Sequence, residues 1–309
     1  MNKKYWWFLP FVLFPIPFLG YPFLLSIFVL IGIYTIAAIG MDVLTTWAGQ
    51  ISIGNAAFFA VGAYTSAILV VNFHVPFLIA FLISGILSAL IGVMVGLPAL
   101  RVSGFYLAVI TMAFGIAIQQ MIGVFQITGG YNGIRNIPVP TFWIFKAGNP
   151  IYQYYIVLAI IFLIFTVISR ISFSKSGMSL FAIRDSETAA KAFGINLLKY
   201  KLAAFASSAA LTGFAGSLYA SAIGFISPSQ FDLTLSLDLL AMVIVGGAGN
   251  IMGVMIGAAF FIGLPFLLSG YNISITIIQG VALILILLFL PKGLLQIFKI
   301  KDLFKKKVI

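Results

Sequence analysis

The chain contains no cysteine and a single histidine in 309 residues. Without cysteine there is no disulfide frame, no thiol nucleophile and no thiolate metal site. The lone histidine, His74, stands close to Pro76 near a predicted span end, with no carboxylate nearby in sequence. That setting suits an interfacial residue better than a general base or a metal ligand. Charge is almost as scarce: only 7% of residues are charged, against about 25% in soluble domains. No GxxxxGK[ST] phosphate loop occurs, so the chain is not expected to bind ATP in that way. Nothing in the residues points to catalysis or to a cofactor held by this chain, and it is not read as an enzyme.

What is present is apolar sequence. Hydrophobic residues make up 62% and the mean hydropathy is +1.20. No soluble core could hide that much apolar surface. Between Asp42 and Arg101, and again between Asp238 and Lys292, no residue carries a formal charge. Each gap is long enough for two or more crossings at about 20 residues per span. The runs are continuous rather than alternating, which selects helices over a barrel. The predicted fold is all-α, a single polytopic membrane domain over 1–309. Candidate spans are 5–20, 22–40, 51–72, 76–100, 104–126, 151–170, 201–223, 235–249, 250–268 and 272–290. Eight to ten of these cross, the range depending on whether some are re-entrant. The N-terminal MNKKYWWFLPFVLF lacks a small-residue cleavage site and reads as a retained first helix.

The net charge of +11 reflects the membrane rather than nucleic acid. With the N-terminus inside, fifteen of the seventeen basic residues fall on the cytoplasmic side, and only Arg135 and Lys146 fall outside. This asymmetry orients the chain, with both termini and the basic tail over 291–309 cytoplasmic. Trp6, Trp7, Trp47 and Trp143 all fall near span ends, as an interfacial aromatic belt would place them. Ala48 and Ala248 begin two similar stretches, AGQISIGNAAF and AGNIMGVMIGAAF. An internal repeat and chance both account for that echo.

The acids outside the charged middle of the chain and the tail are Asp42, Asp232 and Asp238, all at or near predicted span ends. Their position speaks against ion-coupled transport, which usually leaves a carboxylate within the membrane. The polar residues within spans are Gly, Ser, Thr, Asn and Gln. Gln50, Ser52 and Asn55 open one span, and Gln119 and Gln120 lie deep in another. Each is either a substrate-path candidate or an interhelical hydrogen-bonding residue. Arg101, between Pro98 and Gly104, reads as a positive-inside anchor. TGGYNGI, from Thr128, reads as turn chemistry on the outer side.

One interval departs from all this: SKSGMSLFAIRDSETAAKAFGINLLKYK, from Ser174 to Lys201. Ser186 can cap a helix over Glu187–Phe193, Asp185 and Glu187 place negative charge at its start, and Lys191 lies in its last turn. Gly194 suits the position just after it. Ala189, Ala190 and Phe193 form a small apolar face. A helix of about two turns is marginal alone in water, so either something docks on it or the interval is a solvated loop.

The segment TAAKAFG resembles the EAA loop of ABC importer permeases: two alanines, three residues, then glycine. Thr188 stands where that motif has its Glu, and the downstream I-x-L-P element is not recognisable. More specific is the ordered series AGQISIGNAAFFAVGAY, LRVSGFYLAVITMAFG, TGGYNGI, AIRDSETAAKAFGIN and VGGAGNIMG. Over about Gly40 to Gly293 this series resembles the branched-chain amino acid permeases of the LivM/LivH type. The AGQxSxGxAAF form favours the M-type subunit, although Asn55 replaces a His common there.

The resemblance implies a membrane subunit of an ATP-binding cassette importer. Its partners would be a second permease chain, related or identical, two ATP-binding subunits and an external binding protein. ATP and Mg would be used by the partner ATPases, in a prokaryotic cytoplasmic membrane. Residues 171–200 become the cytoplasmic coupling loop between spans six and seven. Arg184, Asp185, Ser186, Glu187, Thr188, Ala189, Ala190, Phe193 and Gly194 become its ATPase-coupling residues. Other readings are the same architecture carrying urea, short amides or a sugar, an ion-coupled secondary transporter, and a structural membrane protein.

Overall fold

The computed structural model describes residues 22–99, 102, 104–139, 150–268, 275–290 and 293–294. The expected first helix over 5–20, Arg101, Trp6, Trp7, Trp143, Lys146 and nearly all of the tail over 291–309 lie outside the described residues. Among those described, regular structure is helical, with one isolated antiparallel bridge between Ile134 and Ile226.

In chain order the helices are α1 (Pro22–Asp42), α2 (Asn55–Val71), α3 (Phe77–Ala99), α4 (Phe105–Val124) and α5 (Pro150–Ser172). They continue as α6 (Lys175–Asp185), α7 (Glu187–Ala192), α8 (Leu197–Ile223), α9 (Leu233–Gly246), α10 (Ile251–Leu267) and α11 (Ile275–Phe289). A five-residue π-helical turn, Val43–Trp47, extends α1. Five segments are long and apolar enough to cross a membrane: Phe23–Trp47, Phe77–Pro98, Phe105–Val124, Ile151–Ser172 and Leu197–Ile223. Asn55–Val71, Leu233–Gly246, Ile251–Leu267 and Ile277–Ile286 are shorter apolar helices. Every predicted span that falls on described residues contains a helix, the one expected over 51–72 beginning only at Asn55, and the protein is a polytopic helical membrane protein. The spans expected over 235–249 and 250–268 are separate helices, joined by a short turn before Asn250 caps α10.

The bundle is organised on α8, which at 27 residues is about 40 Å long. Helices α1, α2 and α3 all pack along it, α1 also packs on α5 and α10, and α9 pairs with α10. Lipid offers no hydrophobic drive for helices to associate, so close van der Waals approach must supply it. The sequence provides that with small residues: Ala204, Ser208, Ala209, Gly213, Gly216 and Ser217 of α8 are buried. At the α2–α8 crossing the two backbones touch. A Cβ on Gly62 would overlap the Gly213 carbonyl and lie 2.5 Å from its Cα, and one on Gly216 would strike the Phe59 carbonyl. Aromatic rings fill the space beside this seam, with Phe81 stacked on Phe214 at 4.6 Å and Phe59 edge-on to Tyr219 at 5.4 Å. Large apolar residues such as Met94, Leu90, Phe105 and Leu163 point away from the bundle, as lipid-facing residues do.

Two expectations are revised by the packing. Trp47, expected in an interfacial belt, is 3% exposed and packs against Phe181 of α6 at 5.5 Å between ring centroids. Asp42, expected at or near a span end, lies inside the Phe23–Trp47 segment and is 1% exposed. In both cases α1 continues through the π turn, and the returning chain covers its end.

Candidate coupling site

The charged interval is more helical than its charges suggested. Ser174 caps α6 by accepting from the Gly177 N–H at 3.4 Å. Leu180 and Ile183 of α6 turn inward. After Asp185 the chain extends for one residue, Ser186, whose hydroxyl accepts from the Ala189 N–H at 3.2 Å and starts α7. The last helical residue is Ala192, with Phe193 the cap rather than part of the helix. Gly194 follows with φ +77. Its N–H donates to the Lys191 carbonyl and the Ile195 N–H to the Ala190 carbonyl, both at 3.0 Å. This is the paired bonding of a Schellman ending, which needs a left-handed residue at the glycine position. Asn196 then caps α8 by accepting from the Lys199 N–H at 3.1 Å.

The apolar face expected of α7 divides. Ala190 alone is buried, whereas Ala189, Thr188 and Phe193 are exposed, Phe193 to 86%. What ties α7 down is electrostatic. The Lys201 Nζ donates to Glu187 Oε1 at 2.6 Å, joining the start of α7 to the first turns of α8. The Lys201 side chain is nearly buried and that of Glu187 about half exposed. On α6, Arg184 donates to Asp185 Oδ1 from Nε at 2.9 Å and Nη2 at 2.7 Å. Its Nη1 reaches the Thr46 carbonyl at 3.2 Å. The guanidinium also lies over the Phe181 ring, 5.6 Å from its centroid. The segment thus has one side fastened to α1 and α8 and another side, with an aromatic residue at its end, open.

The sequence-level path candidates fall into two groups. Ser52 and Asn55 are fully buried where the non-helical 48–54 stretch enters α2. Ser52 Oγ donates to Asn55 Oδ1 at 3.3 Å, and Asn55 Nδ2 donates to Ser208 Oγ of α8 at 3.2 Å. The Ile53 N–H goes to Thr111 Oγ1 of α4 and the Ala56 N–H to Ser236 Oγ of α9. Buried polar groups need partners within the protein, and hydroxyls from three helices supply them at this entry to α2. Thr111, Ser208 and Ser236 were not singled out in the sequence. Their only signal is a small hydroxyl residue inside an apolar helix. Gln50 is 5% exposed, donates from Nε2 to the Ala48 carbonyl, and has no partner for Oε1 among the described residues. Gln119 and Gln120 belong elsewhere. Gln119 Nε2 donates to the Pro228 carbonyl at 3.1 Å, and Gln120 Oε1 accepts from the Tyr131 hydroxyl at 2.9 Å. Both therefore brace the TGGYNGI turn and the segment after α8, the same region that the Ile134–Ile226 bridge joins.

A half-open cavity of about 210 Å³ lies between α1, α8, α9, α10 and α11. Asp238, Tyr34, Tyr219 and Gln279 bring polar groups into its otherwise apolar wall. Among the described residues no group of three or more His, Asp or Glu could hold a metal ion.

Comparison with known proteins identifies the family of the chain. The family model described as branched-chain amino acid transport system / permease component matches residues 23–291. The chain is 31% identical over 287 residues to the high-affinity branched-chain amino acid transport system permease protein LivM of Salmonella typhimurium, covering 85% of this chain and 68% of that protein. It is 31% identical over 305 residues to the LivM of Escherichia coli, covering 89% and 72%. A probable LivM of Methanocaldococcus jannaschii is 27% identical over 222 residues, 64% of this chain and 62% of that one. Shorter stretches are similar to permeases whose names give xylose, fructose and ribose. No solved structure matches. With the matched region running from α1 to the end of α11, the chain belongs to the branched-chain amino acid transport permease family.

Proposed function

We propose that this chain is a transmembrane subunit of an ATP-driven importer for branched-chain or similar neutral amino acids, with α7 and its flanks as the contact for a separate ATPase. The observation that carries the reading is the two-sided construction of the 184–194 segment. It is capped at both ends and pinned to α8 through Lys201 and Glu187, yet it leaves Phe193 86% exposed in a charged stretch of an otherwise apolar chain. An aromatic ring held out by a capped and pinned short helix suits an anchor for another protein. The names of the relatives supply the cargo class.

In this scheme both termini and residues 171–200 face the cytoplasm of a prokaryotic cell, on the strength of the basic asymmetry. Two ATP-binding subunits use ATP and Mg, while this chain binds neither and carries out no hydrolysis. A second permease chain completes the path, and an external binding protein delivers the cargo. Closure of the ATPases displaces α7. The Lys201–Glu187 pair passes that displacement to α8, the helix on which α1, α2 and α3 pack, so access alternates by movement of the bundle.

Co-purification with an ATP-binding subunit, followed by reconstitution with cargo-loaded binding protein, tests this. Hydrolysis that rises with loaded binding protein and accompanies leucine uptake is expected. Concentrative uptake by the purified chain alone, driven by an ion gradient, would overturn the reading. The stretches similar to sugar permeases favour a second cargo class. Competition among leucine, urea and ribose decides between them.

A further inference from the structure

We infer that Asp42 is a positioning residue that links the 184–194 segment to the turn joining α9 and α10, so that one movement reaches both. The inference rests on the coupling role proposed above and adds the route by which displacement leaves the segment.

The route begins at Arg184. Besides its bonds to Asp185 and the Thr46 carbonyl, its stem packs on the backbone at Gly49, where a Cβ would lie 3.1 Å from Arg184 Cγ. Phe181, under the guanidinium, packs on Trp47. Residues 46–49 are thus held at three points by α6. The same stretch is the end of the π turn that starts immediately after Asp42. A turn clamped at one end and continuous with α1 at the other has little freedom to absorb a displacement.

Asp42 carries the contact onward. Its Oδ1 accepts the Gly249 N–H at 2.8 Å. Gly249 directly precedes Asn250, the cap of α10, so the carboxylate sits at the positive end of that helix. The other side of the turn is tied too, since the Leu294 N–H donates to the Val245 carbonyl at 2.8 Å just beyond α11. The ends of α9, α10 and the segment after α11 therefore meet at a turn that one buried carboxylate fastens to α1. A carboxylate 1% exposed is costly at membrane depth unless it holds a specific partner. A short bond from a backbone N–H to a buried carboxyl at a helix start is the directional contact that such a link needs.

The test uses the assembled importer in liposomes and reads cargo moved per ATP hydrolysed, together with the thermal midpoint of the complex. Asp42→Ala is expected to lower cargo per ATP by about tenfold, the scale of leaving one buried backbone donor without its partner, while loaded binding protein still stimulates hydrolysis. Asp42→Asn, which keeps an acceptor oxygen without charge, should fall between. Arg184→Ala cuts the same route upstream, so the double variant should be no worse than the poorer single one. A role confined to stability would instead lower the midpoint and leave cargo per ATP unchanged in the complexes that survive, and that result overturns the inference. So do effects of Asp42 and Arg184 that multiply. If Asp42→Ala does not assemble, the Asp42→Asn and Arg184→Ala pair gives the same decision. A wild-type complex whose hydrolysis ignores loaded binding protein would overturn the importer reading itself. Normal wild-type behaviour with an unaffected Asp42→Ala removes this link alone.

Discussion

Replacing Gly194 with valine is the sharpest perturbation of the coupling segment. At φ +77 the residue is left-handed, and a Cβ there would meet nothing within 4 Å. The cost of the substitution is therefore torsional rather than steric. A left-handed L-residue costs about 1–2 kcal/mol, and a β-branched one is at the upper end. Helix α7 has six residues and no stability to spare alone. A penalty of that size shifts the ratio of formed to open Schellman turn by about 5- to 30-fold. Hydrogen exchange reads this directly, because the Gly194 and Ile195 amides are bonded to the Lys191 and Ala190 carbonyls. Gly194→Val should speed exchange at both by that factor, leave the α8 amides unchanged, and reduce cargo moved per ATP. Gly194→Asn should behave close to wild type, since asparagine visits the left-handed region with little cost. Equal losses in the two variants, or normal exchange and uptake in Gly194→Val, would refute the argument that the turn's conformation matters.

Glu187→Gln leaves the nearly buried Lys201 ammonium facing a neutral partner. It should cost about 1–2 kcal/mol, below the fully buried case because Glu187 is half exposed. Adding Lys201→Met should recover part of that loss, measured by thermal unfolding in detergent. Gly62→Val puts side-chain atoms into the Gly213 backbone, where neither helix can yield without moving the other. A loss of about 1–3 kcal/mol or more should appear as a lower yield of folded protein. Ser208→Ala removes the partner of Asn55 Nδ2 and should cost about 0.6 kcal/mol, the typical membrane value. Cargo preference in uptake competition should stay unchanged.

Much of the architecture was legible because lipid imposes simple rules. A helix that must satisfy its own backbone needs about twenty apolar residues, and such runs are read directly from the chain. Ser186 and Gly194 were legible for a related reason: caps and left-handed turns depend on the chemistry of one residue. The division of the α7 face was not legible. Ala189, Ala190 and Phe193 are all apolar, and only the packing around α7 decides that Ala190 is covered and Phe193 is left out. The same holds for Asn55 and Gln119. Their residue types fit a path or a brace equally well, and the partner that decides lies 153 positions away for Asn55 and 109 for Gln119.

Composition and local pattern alone determined that this is a helical membrane protein with one charged segment carrying a capped short helix. Those features follow from transfer free energies and from bonds within a few residues. Tertiary structure decided what that segment is fastened to. Lys201 on Glu187, Arg184 on Thr46 and Asp42 on Gly249 join separate elements of the fold, and no local preference encodes which side chain meets which partner.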